Sequence, residues 1–170
     1  MDTVYAALGD RVLVGDSDSG WEDRLLGHDI ECVAAGAAEP ARAFVGTADA
    51  GLQRTIDGGA TWELVLDAGD RVTSVTVSPH DAGVVWAGTE PSAVYRSTDG
   101  GATWTERSGL TDLDSASRWS FPPRPQTHHV RWIALAPDDP KQVYVAIEAG
   151  AFVRSPDGGE TWVDHPDGAR

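Results

Sequence analysis

The sequence predicts an all-β fold, a β-propeller whose blades are four-stranded antiparallel sheets. The first observation is an eight-residue motif, [S/T]-x-D-x-G-x-T-W, which occurs three times, at 55–62, 97–104 and 155–162. The second is the run of short apolar segments before each copy, with turn signals about every 8–12 residues, as in repeated all-β architectures. The third is the number of residues that separates the first copies of the motif from one another, which suits a blade of roughly 40–50 residues.

Each copy of the motif is expected to close a hairpin by itself. The Asp just after a strand accepts hydrogen bonds from N–H groups of the following turn. The Gly at the fifth position permits the positive φ that a tight turn needs, and the Trp packs its ring beneath the turn. A degenerate copy keeps Asp18 and Gly20 but lacks the two residues before Trp21. Besides Asp18, we assign structural roles to Asp57, Trp62, Asp99, Trp104, Asp157 and Trp162.

These octets resemble the Asp-box (BNR) repeat of sialidase-type and related β-propellers, and the similarity extends over nearly all of the chain. The resemblance implies that each box joins the third and fourth strands of a blade, on the rim away from the functional face. It also implies a relation to glycosyl-hydrolase-like proteins. Enzymes, binding receptors and assembly factors all carry the motif, so the resemblance defines a fold better than an activity.

Four units follow one another in a single propeller region, 1–170. They occupy 1–27, 28–67, 68–108 and 130–166, and each strand is an apolar segment bounded by turn residues such as S-P-H-D-A-G or A-P-D-D-P. Unit one has three predicted strands, at 4–8, 11–14 and 21–26, with no inner strand before them. The other strands are predicted at 30–35, 43–47, 51–55, 61–66, 72–77, 84–89, 93–97, from 103, 130–135, 143–147, 151–155 and from 161.

The missing inner strand of unit one bears on how the propeller closes. The polar, Pro/Gly-rich segment 164–170 is a poor candidate to supply that strand, and an unpaired strand would expose backbone groups at an edge. A closed four-bladed ring is one option. We favour instead about half of a larger propeller, completed either by further chain or by a second copy in a homodimer.

Composition excludes some classes of partner. The net charge is −14, with 27 acidic against 13 basic residues, which argues against nucleic acid and anionic membranes as partners. Lys141 is the only lysine, as in acidic proteins adapted to high salt, although an ordinary acidic protein has the same features.

Cys32 is the only cysteine, and we interpret it as a small core residue. With no signal-like start and no apolar run long enough to span a bilayer, we expect a cytoplasmic protein.

The longest interval between boxes, from Asp99 to Asp157, contains an insertion at 109–129. It joins the outer strand of one unit to the inner strand of the next, so it is expected over the mouth of the central channel, on the face opposite the boxes. Trp119, Phe121 and three prolines indicate an ordered, packed loop. Its second half resembles a stretch of uncharacterised Asp-box proteins that are described as glycosyl-hydrolase-like.

Candidate functional residues converge on the same face. His128 and His129 begin an inner strand, and Glu148 follows the second strand of that unit, so these three are the candidate catalytic residues. Imidazole, carboxylate and guanidinium groups in one pocket can perform acid–base chemistry or hold an anionic sugar. The candidate ligand-binding residues are Arg118, Arg124, Arg131, Asp49 and Glu90. We predict no cofactor and assign no residue to a metal ion.

Each candidate also has a structural interpretation. Adjacent residues on a strand point to opposite sides, so at most one of the two histidines faces the channel. Glu148, Asp49 and Glu90 can be solvated loop charges, and Arg118 and Arg124 can pair with nearby Asp112 and Asp114. The remaining histidines, His28, His80 and His165, fall in predicted turns and are treated as surface residues.

Three functional hypotheses remain open. The first is a binding or scaffold module for a small anionic or carbohydrate-like ligand, or for a protein partner, on the face of the 109–129 loop. The second is a glycosidase-like or metal-assisted hydrolase that uses His128, His129 and Glu148. The third is an assembly factor, which the acidic charge disfavours. Sialidase activity is disfavoured because no Arg-Ile-Pro sequence occurs and all three tyrosines lie within predicted strands.

Overall fold

The computed structural model describes residues 3–16, 18 and 20–164, and in that part the chain forms four antiparallel sheets. Each sheet is one blade, and its strands follow in sequence order. Blade 1 contains β1 (Val4–Leu8), β2 (Arg11–Asp16) and β3 (Gly20–Arg24). Blade 2 contains β4 (Ile30–Ala35), β5 (Ala43–Thr47), β6 (Leu52–Thr55) and β7 (Glu63–Leu66). Blade 3 contains β8 (Arg71–Val77), β9 (Val85–Glu90), β10 (Val94–Ser97) and β11 (Thr105–Glu106). Blade 4 contains β12 (Val130–Leu135), β13 (Val143–Ile147), β14 (Ala151–Ser155) and β15 (Val163–Asp164).

The blades pack face to face through apolar layers. One layer joins blades 1 and 2 around Val12, Val14 and Val45. A second joins blades 2 and 3 around Phe44, Leu52, Val72 and Val85, and a third joins blades 3 and 4 around Trp86, Val94, Val130, Ile133 and Val145. This arrangement confirms the predicted all-β propeller, and the sheets form an open arc of blades.

Blade 1 lacks an inner strand among the described residues. The N–H of Ile30, at the start of inner strand β4, donates to the carbonyl of Gly9, which follows β1, over 2.7 Å. β1 therefore ends at the end of the blade where inner strands begin. Second strands also end there, because they run antiparallel to inner strands, so β1 occupies the position of a second strand. The three-stranded first unit is as predicted, although β3 ends at Arg24 rather than at residue 26. The segment from 165 onward, with His165, lies outside the described residues.

The Asp-box turns form the hydrogen bonds expected of them. In the first box, Asp57 accepts from the Thr61 N–H over 2.9 Å and from the Thr61 hydroxyl over 2.6 Å. Gly59 has a φ of 88°, and the Trp62 indole donates to its carbonyl. The boxes at Asp99 and Asp157 repeat the Asp–Thr bonds. In the degenerate copy, the Asp18 N–H donates to Asp16 Oδ1 over 2.7 Å.

The two ends of the strands carry different connections. At one end, the boxes lie beside the turns between first and second strands, since Gly58, Gly100 and Gly158 donate to carbonyls in those turns. The other end carries the connections between second and third strands together with the 109–129 insertion. We call this second end the loop face. In the described part of the chain, no helix is long and apolar enough to cross a bilayer.

Candidate functional site

The first half of the insertion is part of the core between blades 3 and 4. It contains two short 3₁₀ turns, Leu110–Asp112 and Ala116–Arg118. Leu110 and Trp119 are buried in the apolar layer with Trp86 and Val130. The Trp119 indole donates to the Ser115 hydroxyl over 3.0 Å, and Ser115 in turn bonds to Asp164 on the outer strand. The insertion is therefore packed, as predicted from its aromatic residues.

The second half of the insertion is attached to blade 3 by an ion pair between the exposed guanidinium of Arg124 and the buried carboxylate of Glu90. Arg124 donates through Nε to Glu90 Oε1 over 2.7 Å and through Nη2 to Oε2 over 2.5 Å. The Glu90 side chain is only 4% exposed, and the Arg124 guanidinium lies 4.8 Å from the centre of the Phe121 ring. The hydrogen bond from Arg124 lowers the pKa of the Glu90 carboxyl despite its burial. Arg124 thus pairs across 34 residues of sequence rather than with Asp112 or Asp114.

His129, Glu148 and Arg131 form a charged group on blade 4, which we call the loop-face cluster. His129 Nε2 lies 2.9 Å from Glu148 Oε2, so the imidazole donates to the carboxylate through that nitrogen. Arg131 Nε lies 3.3 Å from the same oxygen. Among the described residues, both contacts use Oε2, which leaves Oε1 of Glu148 and the Nη atoms of Arg131 available to a ligand.

Local backbone structure explains why these three side chains meet. The Glu148 N–H donates to the His129 carbonyl over 3.1 Å, so the end of β13 lies directly beside the start of β12. The pairing of β12 with β13 shifts register between Val130 and Trp132, which makes Arg131 the extra residue of a β-bulge. Bulges re-aim side chains, and the Arg131 side chain is 64% exposed here.

The two histidines lie just before β12, which begins at Val130, rather than within that strand, and they have different surroundings. His129 is buried, and its ring meets the Phe121 ring edge-on at 4.7 Å. His128 meets the Trp119 ring edge-on at 5.5 Å, and desolvation by burial lowers the pKa of its imidazole. Within the described structure, the Nδ1 atoms of both rings are buried without a hydrogen-bond partner. Only His129 joins the cluster.

The other predicted site residues lie apart from this cluster. Asp49 contacts His28 Nδ1 at 3.2 Å and accepts from the Asp29 N–H on blade 2. Arg118 is exposed at the end of the second 3₁₀ turn. Glu90 is occupied by Arg124, with Arg71 at 3.9 Å. The structure therefore brings together three of the eight candidates, and holds two more in the ion pair that attaches the loop.

Sequence reasoning missed the contribution of Phe121 to the site. Its ring contacts both the guanidinium of Arg124 and the imidazole of His129, so it links the attached loop to the cluster. An aromatic residue eight positions before a histidine gives no signal of this contact. Arg71 was missed as well; it begins β8 and pairs with Glu31 and Glu90.

The cluster offers chemistry for binding more directly than for metal chemistry. It combines one carboxylate, one imidazole and one guanidinium, which together can bind hydroxyl and carboxylate groups. No group of three or more His, Cys, Asp or Glu side chains in the described chain is arranged to hold a metal ion. Burial raises the pKa of the Cys32 thiol to about 12, so this thiol stays protonated at neutral pH.

Comparisons with known proteins support the fold. The BNR/Asp-box repeat family matches residues 95–106, and no curated protein matches the sequence. An ancestral GH74 enzyme shares 21% identity and a TM-score of 0.72 over 98% of this chain and 23% of its own. The GH74 xyloglucanase from Xanthomonas campestris shares 18% identity and a TM-score of 0.71 over 99% of this chain and 29% of its own.

A third similar structure is YCF48 bound to D1 peptide, with 25% identity and a TM-score of 0.59 over 81% of this chain and 39% of its own. The chain thus spans well under half the length of each of these three structures. The repeated turns, the radial sheets and these similarities lead to one conclusion. The chain is an Asp-box β-propeller, present here as an open arc of blades.

Proposed function

We propose that this chain is a propeller binding module that takes a small anionic or carbohydrate-like ligand on its loop face. The observation that supports this most strongly is the loop-face cluster itself. Glu148, His129 and Arg131 meet at the end of two strands of blade 4, beside an insertion that is packed into the core. The hydrogen bond from buried His129 orients Glu148 before a ligand binds, which lowers the conformational entropy lost on binding.

The chemistry of the cluster suits a sugar that carries a carboxylate. The Nη atoms of Arg131 match the two oxygens of a carboxylate, because guanidinium groups form paired parallel bonds. Glu148 Oε1 can accept bonds from sugar hydroxyls. Phe121 supplies an apolar ring beside these polar groups, as is common in small-molecule sites.

The neighbouring structures support two ligand classes. One neighbour is a xyloglucanase, which favours a carbohydrate, and another was determined with a bound peptide, which favours a protein partner. We place the carbohydrate first because the cluster contains a carboxylate for hydroxyls and a guanidinium for an acid group. A partner protein on the same face is the alternative occupant.

We also infer a cytoplasmic setting of high ionic strength. The net charge of −14 and the single lysine support the high ionic strength, because salt near 1 M shortens the screening length to about 3 Å and so relieves self-repulsion. Unfolding midpoints measured from 0.1 to 3 M KCl test this inference. A midpoint that rises with salt supports it, and one that is flat or falls refutes it.

Titration calorimetry with a galacturonate trimer and with a neutral xyloglucan oligosaccharide tests the binding proposal. We expect Arg131→Gln to weaken binding of the trimer at least tenfold, since a charge-assisted contact is lost, and to change binding of the neutral sugar much less. Lys141→Gln removes one positive charge at the Asp-box end and serves as the control. Equal binding by wild type and Arg131→Gln, or binding by neither protein to either sugar, would refute the proposal.

The hydrolase hypothesis is the second candidate, and the contact between His129 and Glu148 favours it. Glycoside hydrolysis generally uses two carboxyl groups, and Glu90 is already engaged by Arg124. We therefore expect wild-type protein to release no more reducing sugar from xyloglucan than Glu148→Gln does. Release by wild type that is abolished in Glu148→Gln would establish the hydrolase instead.

A further inference from the structure

A cavity of about 440 Å³ lies at the loop face of blade 2 and shares no residue with the loop-face cluster. Its walls come from the β5–β6 connection, from Gln53 on β6 and Leu64 on β7, and from the segment 67–70 that leads to β8. Its volume is in the range of about 300–1,000 Å³ that is usual for small-molecule sites. Blades 1 and 3 pack on either side of blade 2, so the cavity does not lie at an end of the arc.

Every charged side chain that lines this cavity is a carboxylate. The three are Asp49, Asp67 and Asp70, and no Arg or Lys in the described part of the chain lines it. Asp49 is already in contact with His28. Asp67 uses only Oδ1, which accepts from the Gly69 N–H over 3.1 Å, and Asp70 makes no hydrogen bond or ion pair with a described residue. Oδ2 of Asp67 and both oxygens of Asp70 are therefore free to accept.

Gln53 supplies a further acceptor at a position that the other blades fill differently. Strand register identifies its equivalents as Tyr95 in blade 3 and Val153 in blade 4, both of which pack in apolar layers. Gln53 is only 9% exposed, and its side-chain nitrogen donates to the Ala50 carbonyl. Its Oε1 accepts no hydrogen bond from the described residues, yet it is not enclosed by protein as Oε1 of Gln142 is. Burying most of an amide costs free energy unless its hydrogen bonds are made, so this departure from the repeat indicates a ligand that donates to Oε1.

A lining of acceptors selects a ligand that donates hydrogen bonds and carries a positive charge. A metal ion does not fit, because no three His, Cys, Asp or Glu side chains of the described chain are arranged to hold one. A guanidinium group fits, because it is planar, has five N–H donors and pairs with carboxylates through parallel bonds. Ala48, Ala50 and the 52% exposed Leu64 supply an apolar wall for the aliphatic stem that carries such a group.

We propose that the cavity of blade 2 binds a guanidinium group, with Asp67, Asp70 and Gln53 as its acceptors. The group belongs to a small free guanidine or to an arginine side chain of a partner protein, and the chemistry of recognition is the same for both. The net charge of −14 favours the approach of either cation. This inference is independent of the proposed ligand at the loop-face cluster, because the two sites share no residue.

Titrations of ¹⁵N-labelled protein at low salt, where charges are weakly screened, test the proposal with three probes. The probes are butylguanidine, N-acetylarginine methylamide and the uncharged isostere N-acetylcitrulline methylamide. We expect saturable amide shifts at residues 48–53 and 67–70 with both guanidinium probes, and none with the citrulline probe. Tighter binding of butylguanidine assigns the site to a free guanidine, and tighter binding of the arginine amide assigns it to a partner's side chain. Equal binding of the citrulline and arginine amides, or no saturable shift with either guanidinium probe, would overturn the proposal.

Two variants test the acceptors. Asp70→Asn and Gln53→Leu should each weaken binding of N-acetylarginine methylamide by about fivefold, because each loses one hydrogen bond to the charged group. Asp138→Asn makes the same change of charge at an exposed site on the Asp-box end, so it is the matched control and should bind as wild type does. Circular dichroism checks that every variant is folded. Wild-type affinity in Asp70→Asn, or an equal loss in Asp138→Asn, would show that the probe senses only the net charge and would overturn the site.

Discussion

The first residue of each Asp-box is a buried Ser or Thr whose hydroxyl serves several groups at once. In the box at Asp99, the Ser97 hydroxyl donates to Asp99 Oδ1 over 2.8 Å and accepts from the Gly101 N–H over 2.9 Å. Thr55 and Ser155 make the same bonds in the other two boxes. The motif therefore needs its first position as well as its Asp and Gly.

Ser97→Ala should destabilise the protein by about 1–3 kcal/mol, because the buried Gly101 N–H loses its acceptor. Urea unfolding followed by tryptophan fluorescence measures the change. Thr98→Ala, next to it on the exposed part of the turn, is the matched control and should have little effect. Equal stability of Ser97→Ala and wild type would mean that the hydroxyl is dispensable.

The Asp-box carboxylates should make stability depend on pH in the acid range. Hydrogen bonds from Thr61, with others in the turn, lower the pKa of Asp57 to about 2 from an ordinary value of 3.8, and bonds from Thr161 do the same for Asp157. The folded state thus binds these protons less readily than the unfolded state. The stabilisation is complete above about pH 4 and is lost as pH falls through 2.

Unfolding midpoints measured from pH 2 to pH 6 check this expectation. We expect the midpoint of wild type to drop below pH 4, and the drop to be smaller in Asp57→Asn, which has no carboxyl to protonate in that turn. Asp114→Asn, an exposed acid outside the box turns, should follow the wild-type profile. Identical profiles for wild type and Asp57→Asn would contradict the role given to this carboxylate.

At the scale of elements, the insertion shows how far sequence reasoning extends. Its aromatic residues and prolines indicated a packed loop, and the burial of Trp119 confirms that. The pairing of Arg124 with Glu90 was not predictable, because it joins positions 34 residues apart through the arrangement of two blades. In the sequence, a nearby acid such as Asp112 is an equally suitable partner for Arg124. Only the tertiary structure shows that Glu90 is the partner.

Arg124→Ala should loosen the second half of the insertion without unfolding the blades. The loop keeps its internal bonds, including the Phe121 N–H to the Thr127 carbonyl, but loses its attachment to Glu90. We expect amide exchange in residues 119–129 to speed up about tenfold, as for local opening, while exchange in β8 and β9 stays unchanged. Arg118→Ala is the matched control in the same insertion. Unchanged exchange in Arg124→Ala would show that the ion pair does not hold the loop.

At the scale of the whole molecule, the repeated blades explain the fold, and the features that differ between blades, above all the 109–129 insertion, indicate where function lies. The repeated motifs predicted the blades and their order. They also predicted that the Asp-boxes and the insertion lie at opposite ends of the strands. All of these features depend on short-range sequence patterns. Which candidates meet was less predictable: His129, Glu148 and Arg131 come together through strand pairing and a bulge, whereas Asp49 stays with His28 on blade 2. How the ring closes depends on surfaces between units, which no local pattern specifies.

The most direct test of ligand binding at the loop face is a chemical-shift map of ¹⁵N-labelled protein titrated with the galacturonate trimer. We predict that the shifted amides cluster at residues 119–131 and around Glu148, with the Asp-box turns unchanged. Shifts centred on the Asp-box turns, or no shifts at millimolar trimer, would contradict a binding site at the loop-face cluster.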